Sequence, residues 1–262
     1  MSATTDCTHR IQSHVAASGE LSNRIVAVTG AGSGIGRAVA MAAAAQGAEV
    51  ILISKDIKRL EAVHTSIAEA SPTARAIIAP LDLERAIAAD YDQLVAAIAG
   101  RYGRLDGLVH CAALLGTPAP VEHYDVPAWC RVLHVNLTAA FVLTQVLLPL
   151  LRASTDASVA FTSCRAGREP GAFGGAYAVS KAAIEAFSQV LADEYRGTAR
   201  VRVNTVDPGP ARTALRRAAF PSEDQSTIPE PARLTRTYMW LLSAASRGVT
   251  AQALTEPALQ PD

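Results

Sequence analysis

From Arg24 onward, short runs of β-branched and aliphatic residues alternate with longer Ala-rich segments. That alternation is the pattern of a parallel sheet covered by helices on both faces. It predicts strands at 24–28, 50–53, 76–79, 107–110, 158–162 and 201–206. Helices fill the gaps. One is expected from 34 to 46, where Gly47 supplies the left-handed stop that many helix ends need. A long one should open at Asp125, a good N-cap followed two residues later by Pro127, and run towards Leu151, with Pro149 bending or ending it. A third runs from 175 to 195, with Gly197 just beyond. After Thr213 the pattern weakens: Pro208, Pro210, Pro221, Pro229 and Pro231 crowd together and predict a lid or loop before a helix at 232–244. Residues 1–20 mix Asp6, His9, Arg10 and His14 with small polar residues, lack an apolar run of signal-peptide length, and read as a flexible amino-terminal arm ahead of one domain, 21–262.

Composition narrows the function classes. Half of the 262 residues are hydrophobic but only 5% are aromatic, so the core is built from Ala, Val, Leu and Ile. The 24 basic residues balance 24 acidic ones, which removes the clustered positive charge that nucleic acid or an anionic membrane would require. Four cysteines (Cys7, Cys111, Cys130, Cys164) include no C-x-x-C pair and no histidine at ligand spacing, so neither a metal site nor a disulfide framework is expected. The apolar stretch 141–151 is too short to span a bilayer and carries Thr144, Gln145 and Pro149. A cytoplasmic protein is the reading that remains.

Directly after the first strand the chain reads Thr29-Gly30-Ala31-Gly32-Ser33-Gly34-Ile35-Gly36-Arg37, and a helix follows. Glycines at such a junction let backbone approach a pyrophosphate, whose charge then meets the amides and positive end of the helix. A glycine-rich turn alone also fits a tight connection without a ligand; the strand-turn-helix frame favours the nucleotide. An acidic residue at the end of the second strand would bind an adenosine ribose and repel a ribose phosphate, whereas this chain has Ser54-Lys55. NADP(H) is therefore favoured over NAD(H), the plainer alternative being a solvated surface lysine. Tyr177 and Lys181 stand four apart on a predicted helix and so share one face. A nearby ammonium lowers the pKa of a phenol, which makes the pair a plausible general acid/base unit. His110 and His134 read as packing residues.

Thr29-Gly30 to Gly36, Asp82, Asn136, Tyr177-x-x-x-Lys181 and Pro208-Gly209 occur in the order and spacing of the classical short-chain dehydrogenases/reductases, which residues 21–255 resemble. The stretches Leu114-Leu115-Gly116, Leu191-Ala192-Asp193-Glu194-Tyr195 and Ala219-Phe220-Pro221 are most similar to the bacterial YciK-like oxidoreductases. The resemblance implies a Rossmann-like, doubly wound parallel sheet with NADP(H) along its carboxyl edge, and interconversion of a carbonyl and a secondary alcohol by hydride transfer. Gly30, Ser33, Gly34, Ile35 and Gly36 would face the pyrophosphate and adjacent ribose, Lys55 the ribose phosphate, and Asp82 with Leu83 the adenine. Tyr177 would give or take the proton at the substrate oxygen. Lys181 would bind the nicotinamide ribose and depress the tyrosine pKa, Asn136 would hold a water linking Lys181 to solvent, and Pro208, Gly209 and Thr213 would border the nicotinamide. A homodimer or homotetramer would pair the helices that begin near 125 and 175.

The chain departs from the family at several of its positions. A serine usually precedes the tyrosine by 13 residues; here that position is Cys164, with Ser163 one residue too early. A thiol is a weak donor, and loss of one oxyanion donor costs on the order of a hundredfold in rate. Cys164 also reads as a thiol that Arg165 and Arg168 would activate, or as an inert small hydrophobe. Cys111-Ala112-Ala113 replaces Asn-Ala-Gly after the fourth strand, Asp207 replaces an asparagine, and the usual aspartate and glycines after the closing strand are missing. The alternative to an enzyme is thus an NADP(H)-binding relative with a weakened or inactive site.

Overall fold

The central strands carry no polar alternation because helices cover both of their faces, as parallel sheets require. In the computed structural model, which describes residues 3–71, 73–197 and 200–257, seven strands form one sheet: β1 (Ile25–Thr29), β2 (Glu49–Ser54), β3 (Arg75–Pro80), β4 (Gly107–His110), β5 (Ala157–Thr162), β6 (Val201–Asp207) and β7 (Ala253–Thr255). Their order is β3-β2-β1-β4-β5-β6-β7, and every neighbouring pair is parallel. The sequence pattern placed the first six strands to within one residue at either end. Strand order reverses between β1 and β4, which opens a crevice at their carboxyl ends, the usual ligand site of a doubly wound sheet.

The helices are α1 (Ala3–Ser13), α2 (Gly34–Ala45), α3 (Ile57–Ala70), α4 (Ala88–Tyr102), α5 (Val126–Leu133), α6 (Ala139–Ala153), α7 (Arg165–Arg168), α8 (Gly175–Tyr195), α9 (Ala214–Ala219) and α10 (Arg236–Leu242). Alternate residues of each strand feed opposite cores. Val26, Val28, Val50 and Leu52 pack with Val39 and Ala43 of α2 and Leu241 of α10. Ala27, Ile51, Leu108, Val159 and Phe161 pack on the other face with Ile98 of α4, Leu143 and Leu147 of α6, and Ile184 of α8. Each fully buried leucine contributes on the order of 1.5–3 kcal/mol.

Two sequence expectations are corrected here. The amino-terminal arm is not loose: α1 buries Cys7 and Ile11 against the core, and its Arg10 lies 5.2 Å above the Trp240 ring while donating to the Ala245 carbonyl at 2.9 Å. The signal was the spacing of Cys7 and Ile11, which puts two apolar side chains on one helical face. The long helix opens as expected, with the Asp125 carboxylate accepting from the Ala128 amide at 2.8 Å. It is then interrupted by a single π turn at His134–Thr138, and Pro149 neither bends it to a stop nor ends it. Among the described residues, 126–153 is the one stretch long and apolar enough to cross a membrane. Its Leu143, Leu147, Leu150 and Leu151 are instead buried against the sheet.

His110, at the end of β4, stacks on Phe161 with ring centroids 4.8 Å apart. Thr144 Oγ1 donates to the Ala140 carbonyl, so it accepts from His110 Nε2 at 2.9 Å and fixes the proton on that nitrogen. Burial first, and the Lys181 charge second, push this histidine down to about 3. The unfolded chain takes up its proton near pH 6.5 and the folded chain only near 3. Stability from this group is therefore constant above 6.5 and falls as pH drops through the window between, with a slope approaching ~1.4 kcal/mol per pH unit. His110→Gln, which keeps a donor for Thr144, should flatten the difference in urea midpoints between pH 6.5 and 4; a variant as steep as the parent would contradict the assignment.

Candidate active site

At the end of β1 the chain turns through Gly30, whose φ of +66° is left-handed and whose missing side chain leaves room for the backbone of Ala112; a Cβ there would lie 2.9 Å from the Ala112 nitrogen. Gly36, in the first turn of α2, faces the same loop, and a Cβ on it would meet the Gly30 carbonyl oxygen at 2.4 Å. Ser33 is the N-cap of α2 but gives no side-chain cap. The first-turn amides of α2 are thus left for another acceptor, at the positive end of the helix. Thr29 Oγ1 accepts from the amides of Cys111 and Ala112 at 3.1 and 3.2 Å, so the ends of β1 and β4 are tied from the threonine side although the asparagine is missing.

A cleft of about 1150 Å³ runs over the carboxyl edge of the sheet. Every residue assigned to the cofactor lines it: Gly30, Ser33, Gly34, Ile35, Gly36, Lys55, Asp82, Leu83, Tyr177, Lys181, Pro208, Gly209 and Thr213, together with Cys164. At one end, Lys55 Nζ stands 3.4 Å from Glu84 and its side chain is half exposed. Glu84 is held more closely by Arg131 at 2.7 Å, and that contact keeps its carboxyl below the usual range. Arg59 lies beside Lys55 at the same end, paired with Asp56 at 3.1 Å. The sequence reading missed Arg59; its spacing of four from Lys55, across the start of α3, was the available signal. Asp56 proves to be the cap of α3, accepting from the Arg59 amide. Asp82 turns the chain after β3 by accepting from the Glu84 amide at 3.1 Å, and Asp207 does the same for Gly209 at 2.8 Å.

At the other end, α8 presents Tyr177 and Lys181 one turn apart. Lys181 is buried, donates from Nζ to the Thr162 carbonyl at 2.7 Å, and lies 5.7 Å from the Tyr177 ring centroid. Burial pulls its ammonium below the ordinary lysine value. The expectation that Lys181 would depress the Tyr177 pKa is corrected: burial dominates and raises that phenol well above its ordinary value. The lysine is directed at Thr162 rather than at the phenol, so desolvation prevails. In this arrangement Tyr177 is a firmly protonated donor at neutral pH.

Cys164, with extended backbone at the N-cap of α7, lines the cleft together with Tyr177. Ser163 lines the same cleft. Its side chain is buried and its hydroxyl has no hydrogen-bond partner among the described residues, while its amide is held by the Val206 carbonyl. Arg165 and Arg168 are committed to Glu169 and Glu185, each at 2.8 Å, rather than to the thiol.

Asn136 sits in the π turn and does not line the cleft. Its side chain accepts from the Leu114 amide at 2.7 Å and donates to the Leu114 carbonyl and to Ser180 Oγ, both at 2.9 Å. Both of its N–H donors are used, so the side chain pins the loop after β4 to α8. Cys111 also has an unforeseen position. Its thiol, which burial pushes up to about 11, meets Thr162 Oγ1 at 3.3 Å, and that hydroxyl meets the buried Tyr238 hydroxyl at 3.0 Å. Sequence reasoning had no route to Tyr238, because the pairing joins residues 76 positions apart.

Residues 24–224 match the family model described as short chain dehydrogenase. The chain is 44% identical over 230 residues to the uncharacterized oxidoreductase YciK of Escherichia coli (strain K12), covering 88% of this chain and 90% of that one. A short chain dehydrogenase structure from Pseudomonas syringae superposes with a TM-score of 0.91 at 41% identity, covering 93% of this chain and 98% of the other. A second, from Shigella flexneri 2a and complexed with NADP, gives 0.87 at 41% identity, covering 92% and 99%.

Proposed function

The chain belongs to the short-chain dehydrogenases/reductases, a family of oxidoreductases, and from that premise we propose that it interconverts a carbonyl and a secondary alcohol with NADP(H). One observation carries the reading: a protonated Tyr177, a buried Lys181 and the Cys164 thiol meet at one end of a cleft whose other end is an uncapped glycine loop flanked by Lys55 and Arg59. The glycine cradle, which side chains at Gly30 and Gly36 would close, fits a pyrophosphate. The NADP in the Shigella flexneri relative supports the same choice of cofactor.

The bound cofactor supplies or accepts the hydride. The protein's residues do the rest. In the reducing direction Tyr177 gives its proton to the substrate oxygen as negative charge develops there, and the Cys164 thiol donates a second, weaker hydrogen bond to that oxygen. Lys181 holds the nicotinamide ribose while anchored to the Thr162 carbonyl. Asn136 fixes the loop that bounds the substrate, and Pro208, Gly209 and Thr213 border the nicotinamide. Asp82 and Leu83 bound the adenine pocket.

Lys55 and Arg59 carry the preference for the phosphorylated cofactor. Replacing both by Ala should weaken NADPH binding about tenfold and leave NADH unchanged, since a partly exposed ion pair to phosphate is worth on the order of 1 kcal/mol or somewhat more. Fluorescence titration of each nucleotide checks this; equal losses for NADH and NADPH would contradict it. Turnover itself is tested by loss of the near-ultraviolet absorbance of NADPH with a panel of ketones and aldehydes.

The partner is a small-molecule substrate. Exposed Val126, Phe141, Val179 and Val190 on α5, α6 and α8 support a homodimer or homotetramer built on these helices. Four unpaired cysteines fit a reducing, cytoplasmic compartment.

A further inference from the structure

Phe173 combines two unfavourable features at one position. Its φ is +65°, a left-handed backbone that bulky side chains rarely hold, and its ring is 60% exposed. Gly175, two residues on, is left-handed as well, and a Cβ there would lie 2.2 Å from the Tyr124 ring. Tyr124 is also pressed against Gly116, where a Cβ would meet its hydroxyl at 2.8 Å, and stands edge-on to Trp129 at 5.5 Å. This wedge locks the loop after β4 to the start of α8, and the turn around it leaves Phe173 on the wall of the cleft, four residues before Tyr177. Strain and exposure that coincide beside a reacting group point to function.

Phe220, also half exposed, lines the same cleft from the far end of α9, with the Arg216 guanidinium 3.9 Å above its ring. Leu114, Leu115, Pro118 and Leu215 also line the cleft, with Thr117, Arg165 and Glu169 among its polar lining. Arg216 and Arg165 of the cleft are already committed. Arg216 holds Glu223 by two hydrogen bonds at 2.6 and 2.7 Å, and Arg165 holds Glu169 at 2.8 Å. Asp207, near Tyr177, adds negative charge that repels an anion. A carboxylate or phosphate on the substrate would have to displace Glu223 from a two-pronged partner, whereas an apolar group covers two aromatic rings and gains from their burial.

We propose that the substrate is an uncharged, predominantly apolar ketone or aldehyde, and that Phe173 and Phe220 are the aromatic surfaces that hold its non-reacting part. This rests on the assignment of the cleft to NADP(H)-dependent carbonyl chemistry. The test pairs 4-methylacetophenone with 4-acetylbenzoate, and a cyclohexanone with its 4-carboxylate, on the NADPH-loaded full-length protein. Loss of NADPH absorbance reads turnover, and quenching of bound-NADPH fluorescence reads ligand binding.

The uncharged member of each pair should have at least about a tenfold larger kcat/KM, or bind about tenfold more tightly. Phe173→Gly should raise KM for the uncharged ketones several-fold with NADPH affinity unchanged and the thermal midpoint held or raised, because glycine relieves the left-handed backbone. A purely structural phenylalanine would instead lower the midpoint. Preference for the charged member, or NADPH binding with no response to either member, would overturn the substrate class. Failure to bind NADPH at all would overturn the assignment beneath it, and the two results are read on separate signals.

Discussion

Tyr177→Phe should lower turnover by roughly a thousandfold while leaving NADPH affinity within about twofold of the parent, the size expected when a positioned general acid is removed. The phenol is held protonated by burial, so in the parent it delivers a proton that phenylalanine lacks. The ring itself remains, and so does the hydrogen bond from Lys181 to the Thr162 carbonyl, which does not involve the phenol. A loss confined to kcat, measured by NADPH absorbance alongside fluorescence titration, is the expected result. Loss of binding in this variant, or turnover that survives it, would remove Tyr177 from the role of proton donor.

The second large effect runs in the opposite direction. Cys164→Ser should raise carbonyl reduction by about ten- to a hundredfold, because a hydroxyl in place of the thiol that lines the cleft is a far better donor to a developing oxyanion. Cys164→Ala should lower the parent rate modestly, since only a weak donor is lost. Ser163→Ala serves as the control. Its hydroxyl is buried without a partner, so the substitution should leave turnover unchanged. Steady-state kinetics on the three variants separates a weakened enzyme from a protein whose catalysis is gone: a serine variant that stays silent with NADPH bound favours the latter.

The fold was legible because its determinants are local. Strands buried on both faces read as apolar runs, the turn at Gly30 to Gly36 needs glycine for stated steric reasons, and Asp125 caps the helix that it appeared to cap. The candidate site was legible in its membership, since each assigned cofactor residue reaches one cleft. What escaped depends on tertiary burial. The pKa direction of Tyr177 follows from how dry its surroundings are and where the Lys181 ammonium is anchored, neither of which spacing reveals. Asn136 was legible in the chain, but the π turn that aims its amide at Leu114 and Ser180 was not. The docking of α1 turned on two apolar residues, Cys7 and Ile11, in an otherwise polar segment. Arg59 hid behind Asp56, which pairs with it.

In the proposed reaction a hydride passes on this protein from the nicotinamide to a carbonyl carbon. The most direct measurement uses NADPH deuterated in turn at each of the two transferable positions of its ring, with an uncharged ketone as acceptor and mass analysis of the alcohol formed. The account predicts one deuterium on the carbinol carbon from one of the two labelled cofactors, and none when Tyr177→Phe replaces the parent at the same time of sampling. Alcohol formed without deuterium from either cofactor would contradict it, as would bound NADPH that transfers nothing to any carbonyl even in the Cys164→Ser variant.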